Sequence, residues 1–220
     1  MIDSHISDIK WMKRAIYLAS LGKGRTSPNP MVGAVILDKN GNLISEGFHS
    51  KSGMPHAEAM AFNNLKKDAR DGTIYVNLEP CCHQGKTPPC VDKIISFGIK
   101  KVFVSIEDPD KRVSGKGIKL LKDAGIKVHL GLCEKESQEL NKSFIHRNIT
   151  DNAFGVMKWA MSMDGRVGLK NGKSKWITNK DSRSLVHSFR ACFDAIVIGG
   201  NTLRKDNPLL TSRGIRNPEP

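Results

Sequence analysis

Apolar side chains at Ile9, Met12, Ile16, Leu18, Ala19 and Leu21 fall close to a 3.6-residue period, which predicts a helix over 9–21 that stops at Gly22. Thr26-Ser27-Pro28-Asn29-Pro30 is excluded from helix, because each proline drives the residue before it to extended geometry. Two apolar runs, 32–37 and 43–49, flank Asn40-Gly41, a hairpin signal. Further strands are expected at 73–78, 101–106 and 127–132. Helices are expected from His56 to about residue 67, from Pro88-Pro89 to Gly98, at 115–124, and as one charged helix from 134 to about 147. Strand–helix alternation after His56 implies parallel strands covered by helices. Functional groups then belong at strand C-terminal ends and helix N-terminal ends.

The polar stretch Asn148-Ile149-Thr150-Asp151-Asn152 marks a boundary, giving domains at 1–150 and 151–220. Beyond it the pattern predicts strands at 154–160 and 194–198, a turn at Ser162-Met163-Asp164-Gly165-Arg166 and a helix at 180–190. A segment of about 70 residues with two or three strands is marginal as a domain by itself.

Composition narrows the class. Hydrophobic residues make up 39% and charged residues 26% of 220, the balance of a globular chain. No run approaches the ~18 apolar residues of a membrane span, and the start lacks a basic segment followed by an apolar one. The lack of such a signal favours the cytoplasm, or an organelle reached by another route. Lys and Arg outnumber Asp and Glu by 35 to 22, a formal charge of +13 that attracts phosphates. The basic residues are scattered, and aromatic residues are only 6%, which counts against a stacking platform for single-stranded nucleic acid. Of the cysteines, Cys81, Cys82 and Cys90 cluster as metal ligands do in a reducing compartment, whereas Cys133 and Cys192 read as small apolar side chains.

The chemistry concentrates in Pro55-His56-Ala57-Glu58 and in Glu79-Pro80-Cys81, with Cys90 following. One imidazole and two thiolates suit Zn²⁺, a borderline-soft ion that prefers tetrahedral nitrogen and sulfur ligands. Three protein ligands leave a fourth position open, where a catalytic site holds a water whose pKa falls towards ~7. Glu58 could take a proton from that water and deliver it to a leaving amine. Since mid-helix placement would put His56 and Glu58 on nearly opposite faces, both are expected in the first turn. H-x-E followed by P-C-x-x-C is the zinc-deaminase signature. Here Cys81 and Cys90 are separated by eight residues, a departure from it.

These residues, together with Thr26-Ser27-Pro28-Asn29-Pro30, Gly85-Lys86-Thr87-Pro88-Pro89-Cys90 and Leu140-Asn141-Lys142-x-Phe144, resemble the deaminase half of the bifunctional riboflavin-biosynthesis deaminase/reductase family, which shows the long Cys–Cys spacing. Met161-Ser162-Met163-Asp164-Gly165-Arg166, Ser174-Lys175-Trp176-Ile177-Thr178 and Thr202-x-x-x-Asp206-Asn207-Pro208 are similar to the start of its reductase half. The resemblance implies an α/β chain: a three-layer α/β/α cytidine-deaminase-like domain with a mixed sheet, then the incomplete start of a dihydrofolate-reductase-like domain. It implies zinc on His56, Cys81 and Cys90, proton transfer by Glu58, and a substrate pocket lined by Asn29, His49 and Lys86. The substrate implied is a small phosphorylated pyrimidine, a diaminopyrimidinone ribosyl phosphate that loses an exocyclic amine. In the reductase half, Ala160, Trp176, Thr202 and Asp206 would meet NADPH, and Ser174, Arg190, Leu210 and Arg213 the sugar phosphate. A homo-oligomer is a further expectation, with neither membrane nor nucleic acid as partner.

Two features depart from the family. Asp110 stands where relatives often carry Asn, which sets a second carboxylate beside Asp108. Nothing after residue 200 supplies the later glycine-rich loop of the reductase, so that half is expected to be truncated and inactive. Two other readings compete: a tRNA- or nucleoside-type zinc deaminase, and a non-catalytic zinc domain closed by Cys82 or His83 as fourth ligand.

Overall fold

The computed structural model describes residues 2–83, 88–150 and 152–215. Two compact units divide the chain, Met1–Phe154 and Gly155–Pro220.

The first unit runs α1 (Ile2–Ser20), β1 (Gly33–Leu37), β2 (Leu43–Phe48), α2 (Ala57–Asn63), β3 (Thr73–Val76), α3 (Cys90–Ser96), β4 (Lys101–Val104), α4 (Lys116–Asp123), β5 (Lys127–Leu130), α5 (Glu134–Leu140) and α6 (Lys142–Ile149). Its five strands form one mixed sheet in the order β2-β1-β3-β4-β5. The β1–β2 hairpin closes at Asn40-Gly41. Asp38 Oδ1 accepts from the backbone N–H of Asn40 and of Asn42, both at 2.9 Å, and Gly41 takes φ +84°, which favours glycine. β1 also pairs antiparallel with β3, whereas β3–β4 and β4–β5 are parallel.

Alternation along β1 builds the layers. Ala34 and Ile36 join Ala57, Ala61 and Phe62 of α2, with Val91 and Ile94 of α3, on one face. Val35 and Leu37 meet Met12, Ala15 and Leu18 of α1 on the other. A full side-chain burial of this kind contributes about 1.5–3 kcal/mol. Close approach of α1 depends on Gly33, where a Cβ would lie 2.2 Å from the Ala15 carbonyl oxygen.

Three sequence expectations change. The first helix begins seven residues earlier than the apolar period suggested. The single helix expected over 134–147 is two, α5 and α6, because buried Asn141 turns across to the loop before β1. Its Oδ1 accepts from the Met31 N–H at 2.8 Å, and its Nδ2 donates to the Met31 carbonyl at 2.9 Å.

The third change is in the second unit, which contains α7 (Lys180–Arg190) and α8 (Gly200–Asp206) and no strand among its described residues. The strands expected at 154–160 and 194–198 are extended or irregular, with Met157 85% and Val197 92% exposed. A strand exists only where a neighbour accepts its backbone hydrogen bonds, and apolar sequence alone does not supply that neighbour. Among the described residues, no helix is long and apolar enough to cross a membrane.

Candidate active site

Three element ends converge at one end of the parallel strands. Beyond β3 the chain runs through Asn77, Leu78 and Glu79 to Cys81; His56 caps the N-terminus of α2; Cys90 opens α3. His56 has extended backbone (φ −65°, ψ 160°), so the helix starts after it, and Glu58 falls in the first turn. This is the placement that the i, i+2 spacing demands.

His56 Nδ1 lies 3.5 Å from Cys81 Sγ and 3.5 Å from Cys90 Sγ, and the three donor atoms all lie within 4.8 Å of one another. Bonds of about 2.0–2.1 Å to nitrogen and about 2.3 Å to sulfur, at tetrahedral angles, separate N and S by about 3.5 Å. The donor set therefore fits zinc in both chemistry and spacing. The Cys90 N–H points at Cys81 Sγ at 3.4 Å. A hydrogen bond from the Cys90 thiol, with help from His56, pulls the Cys81 thiol down to about 4, and Cys90 is raised reciprocally. Thiolate character therefore concentrates on Cys81. Buried Glu58 is pushed up to about 7, first by desolvation and then by the charge on Cys81.

Cys82 is not part of this cluster. It is partly buried and packs against the core face formed by α2 and α3, and burial raises its thiol. Purified protein is expected to carry about one Zn²⁺ per chain, with Cys81→Ser and Cys90→Ser losing it and Cys82→Ser keeping it. Metal analysis of the three variants checks this; equal loss from Cys82→Ser contradicts the ligand set.

The cluster opens into a cavity of about 200 Å³ that is also lined by Asn29, His49 and Glu58. His49 Nδ1 faces the Pro55 carbonyl at 3.1 Å, and burial disfavours its charged form. The neutral ring then donates from Nδ1 and accepts at Nε2 from Asn29 Nδ2, 3.1 Å away. Lys86 lies outside the described residues. The loop carrying Asn29 is held from beneath by Asn77, whose Oδ1 accepts from the Gly33 N–H at 2.8 Å and whose Nδ2 donates to the Met31 carbonyl at 3.0 Å.

Several lining residues escaped the sequence reading: Asp108 as a buried group, Arg112 and Arg147. Desolvation lifts Asp108 to about 6, while the Arg112 guanidinium holds Asp110 down at about 2. Glu79 does structural work beside them. Its buried carboxylate accepts from the N–H groups of Asp108 (3.2 Å), Gly115 (2.9 Å) and Ile118 (3.1 Å), fixing the 108–115 loop to the start of α4. The Arg147 signal was present in sequence, three residues after Phe144 and so on the same helical face.

Residues 5–106 match the cytidine and deoxycytidylate deaminase zinc-binding region, and residues 153–220 match the RibD C-terminal domain. The chain is 44% identical over 215 residues to the riboflavin biosynthesis protein RibD of Synechocystis, and 46% identical over 206 residues to that of Aquifex aeolicus. The crystal structure of a diaminohydroxyphosphoribosylaminopyrimidine deaminase/5-amino-6-(5-phosphoribosylamino)uracil reductase from Thermotoga maritima superposes with a TM-score of 0.92 at 43% identity over 99% of this chain. Both parts of the chain are thus similar to RibD proteins. The match takes in 98% of this chain but spans only 58% of the Synechocystis RibD, and the chain covers 62% of the Thermotoga one.

The residues assigned to the RibD reductase half occupy separate segments of the second unit. Ala160 sits in the irregular stretch after residue 152, and exposed Ser174 and Trp176 precede α7. Thr202 and Asp206 share a face of α8 at i, i+4 spacing. Arg190 Nη1 donates to the carbonyls of Leu209 and Thr211, both at 3.2 Å, so the α7 end is tied to the strip that carries Leu210 and Arg213. Arg213 takes φ +57°. Trp176 lies under the Arg183 guanidinium, 4.2 Å from the ring centroid.

Proposed function

We propose that the chain is a zinc-dependent hydrolase that removes an exocyclic amine from a diaminopyrimidinone ribosyl phosphate in riboflavin biosynthesis. The observation that carries this reading is Glu58, buried yet lining the same cavity as His56 and Cys81. His56, Cys81 and Cys90 would hold the metal, which would supply the Lewis acidity that makes water a nucleophile near neutral pH. Glu58 takes a proton from the attacking water and passes it to the departing amine, so that C–O forms, C–N breaks and ammonia leaves. Asn29 and the neutral His49 present a fixed pair of polar groups to the substrate, and Lys86 joins them.

Residues 1–150 then form the deaminase domain and 151–220 the N-terminal part of a reductase domain. In that part Ala160, Trp176, Thr202 and Asp206 face NADPH, and Ser174, Arg190, Leu210 and Arg213 face the sugar phosphate. Support comes from the two-part name of the similar Thermotoga maritima protein, from the match of residues 153–220 to the RibD C-terminal domain and from the motifs at Trp176 and Asp206. The protein acts in the cytoplasm on a small molecule, as a homo-oligomer, without nucleic acid or membrane. A closed, non-catalytic zinc site loses support because neither Cys82 nor His83 joins the cluster of His56, Cys81 and Cys90. The test is ammonia release by zinc-loaded protein supplied with the diaminopyrimidinone ribosyl phosphate, cytidine and dCMP in turn. Turnover of the first is expected; preference for either of the others favours a nucleoside-type deaminase.

A further inference from the structure

The mouth of the cavity has its own charge arrangement. Two guanidinium groups line it, Arg112 from the 108–115 loop and Arg147 from the last turn of α6. Two carboxylates, Asp108 and Asp110, line it as well. The two arginines are not equivalent. Arg112 Nε donates to both oxygens of Asp110, at 3.0 and 2.9 Å, and its Nη2 reaches Asp110 as well. The Asp110 side chain is 17% exposed and that of Arg112 76%. The carboxylate thus lies inward and is covered by its partner's charge. Arg147 has no carboxylate partner among the described residues and stands beside the Phe144 ring, 5.6 Å from its centroid. Helix α6 divides its faces accordingly. Phe144 and Arg147 line the zinc cavity, whereas Ile145, His146 and Ile149 line a separate groove.

We propose that Arg147 is a specificity-determining residue that grips the anionic phosphate end of the substrate. Arg112 is its positioning counterpart, neutralising Asp110 so that the mouth does not repel a dianion. The proposal rests on the deaminase reading, and adds to it the side chain that distinguishes phosphorylated from unphosphorylated pyrimidines. The chemistry favours this assignment. A guanidinium with no carboxylate beside it among the described residues offers phosphate oxygens a planar fork of donors. A carboxylate already bound to an arginine presents little net charge, so the Asp110 that departs from the family pattern is compensated two residues later in the same loop.

The experiment compares steady-state deamination of the diaminopyrimidinone ribosyl phosphate with that of its dephosphorylated ribosyl analogue. Arg147→Ala is expected to raise KM for the phosphorylated compound about tenfold or more while leaving kcat near the parent value, because the interaction is with a remote, unreacting group. KM for the dephosphorylated analogue should barely move. Arg147→Lys should recover part of the loss, and raised salt should erode the parent's preference. Arg112→Ala should also raise KM for the phosphorylated compound selectively, and adding Asp110→Asn should restore it. Equal KM changes for both compounds in Arg147→Ala, with zinc content intact, would make Arg147 a shaping residue and overturn the assignment while leaving the deaminase reading in place. If the zinc-loaded parent deaminates neither compound, the deaminase reading itself falls, and this assignment with it.

Discussion

Glu58→Gln is expected to keep its zinc and its fold but release ammonia at least ~10²-fold more slowly than the parent chain. The substitution is nearly isosteric, so it tests chemistry rather than shape. Glu58 lies in the first turn of α2, two residues from the ligand His56, and is 3% exposed. A carboxylate there can accept a proton and return it; an amide can do neither. Burial that raises the carboxyl to about 7 also lowers the cost of its protonated form, which a group that must carry a proton between water and amine requires. Metal content and a thermal melt on the same sample separate a lost proton shuttle from a lost site. Ammonia release close to the parent rate would remove Glu58 from the mechanism.

The second large effect concerns reduction. The 220-residue polypeptide is expected to show no measurable NADPH consumption when supplied with the deaminated product. Hydride transfer requires the nicotinamide within about 3–3.5 Å of the reacting carbon, and a pocket that does not hold it there loses orders of magnitude in rate. In the second unit the candidate contacts stand on segments without a sheet behind them. Trp176 is 68% exposed, and no strand is formed among the described residues of this unit. Arg190 already spends hydrogen-bonding capacity on the carbonyls of Leu209 and Thr211. Absorbance of NADPH followed with product and protein present is the check. Steady, protein-dependent oxidation would show that these residues form a working site in spite of their exposure.

The first unit was legible in sequence because its signals are local. Hairpin chemistry at Asn40-Gly41, the apolar run over 32–37 and the His56–Glu58 spacing each act within a few residues, and each has a direct structural counterpart. What stayed hidden depends on contacts distant in sequence. The break between α5 and α6 comes from Asn141 bonding Met31 across 110 positions. Glu79 read as part of a cysteine motif, yet its carboxylate gathers N–H groups from Asp108, Gly115 and Ile118. The strands expected at 154–160 and 194–198 failed for the converse reason: apolar composition marks a segment able to pair and says nothing of whether a neighbour is there to pair with.

The measurement that bears most directly on the central claim is ammonia release from the diaminopyrimidinone ribosyl phosphate by one protein sample before chelation, after chelation and after stoichiometric zinc is returned. Turnover is expected, with its loss on metal removal and its recovery with zinc in protein that stays folded throughout. Absence of ammonia from the zinc-loaded protein, or release that chelation leaves unchanged, contradicts it.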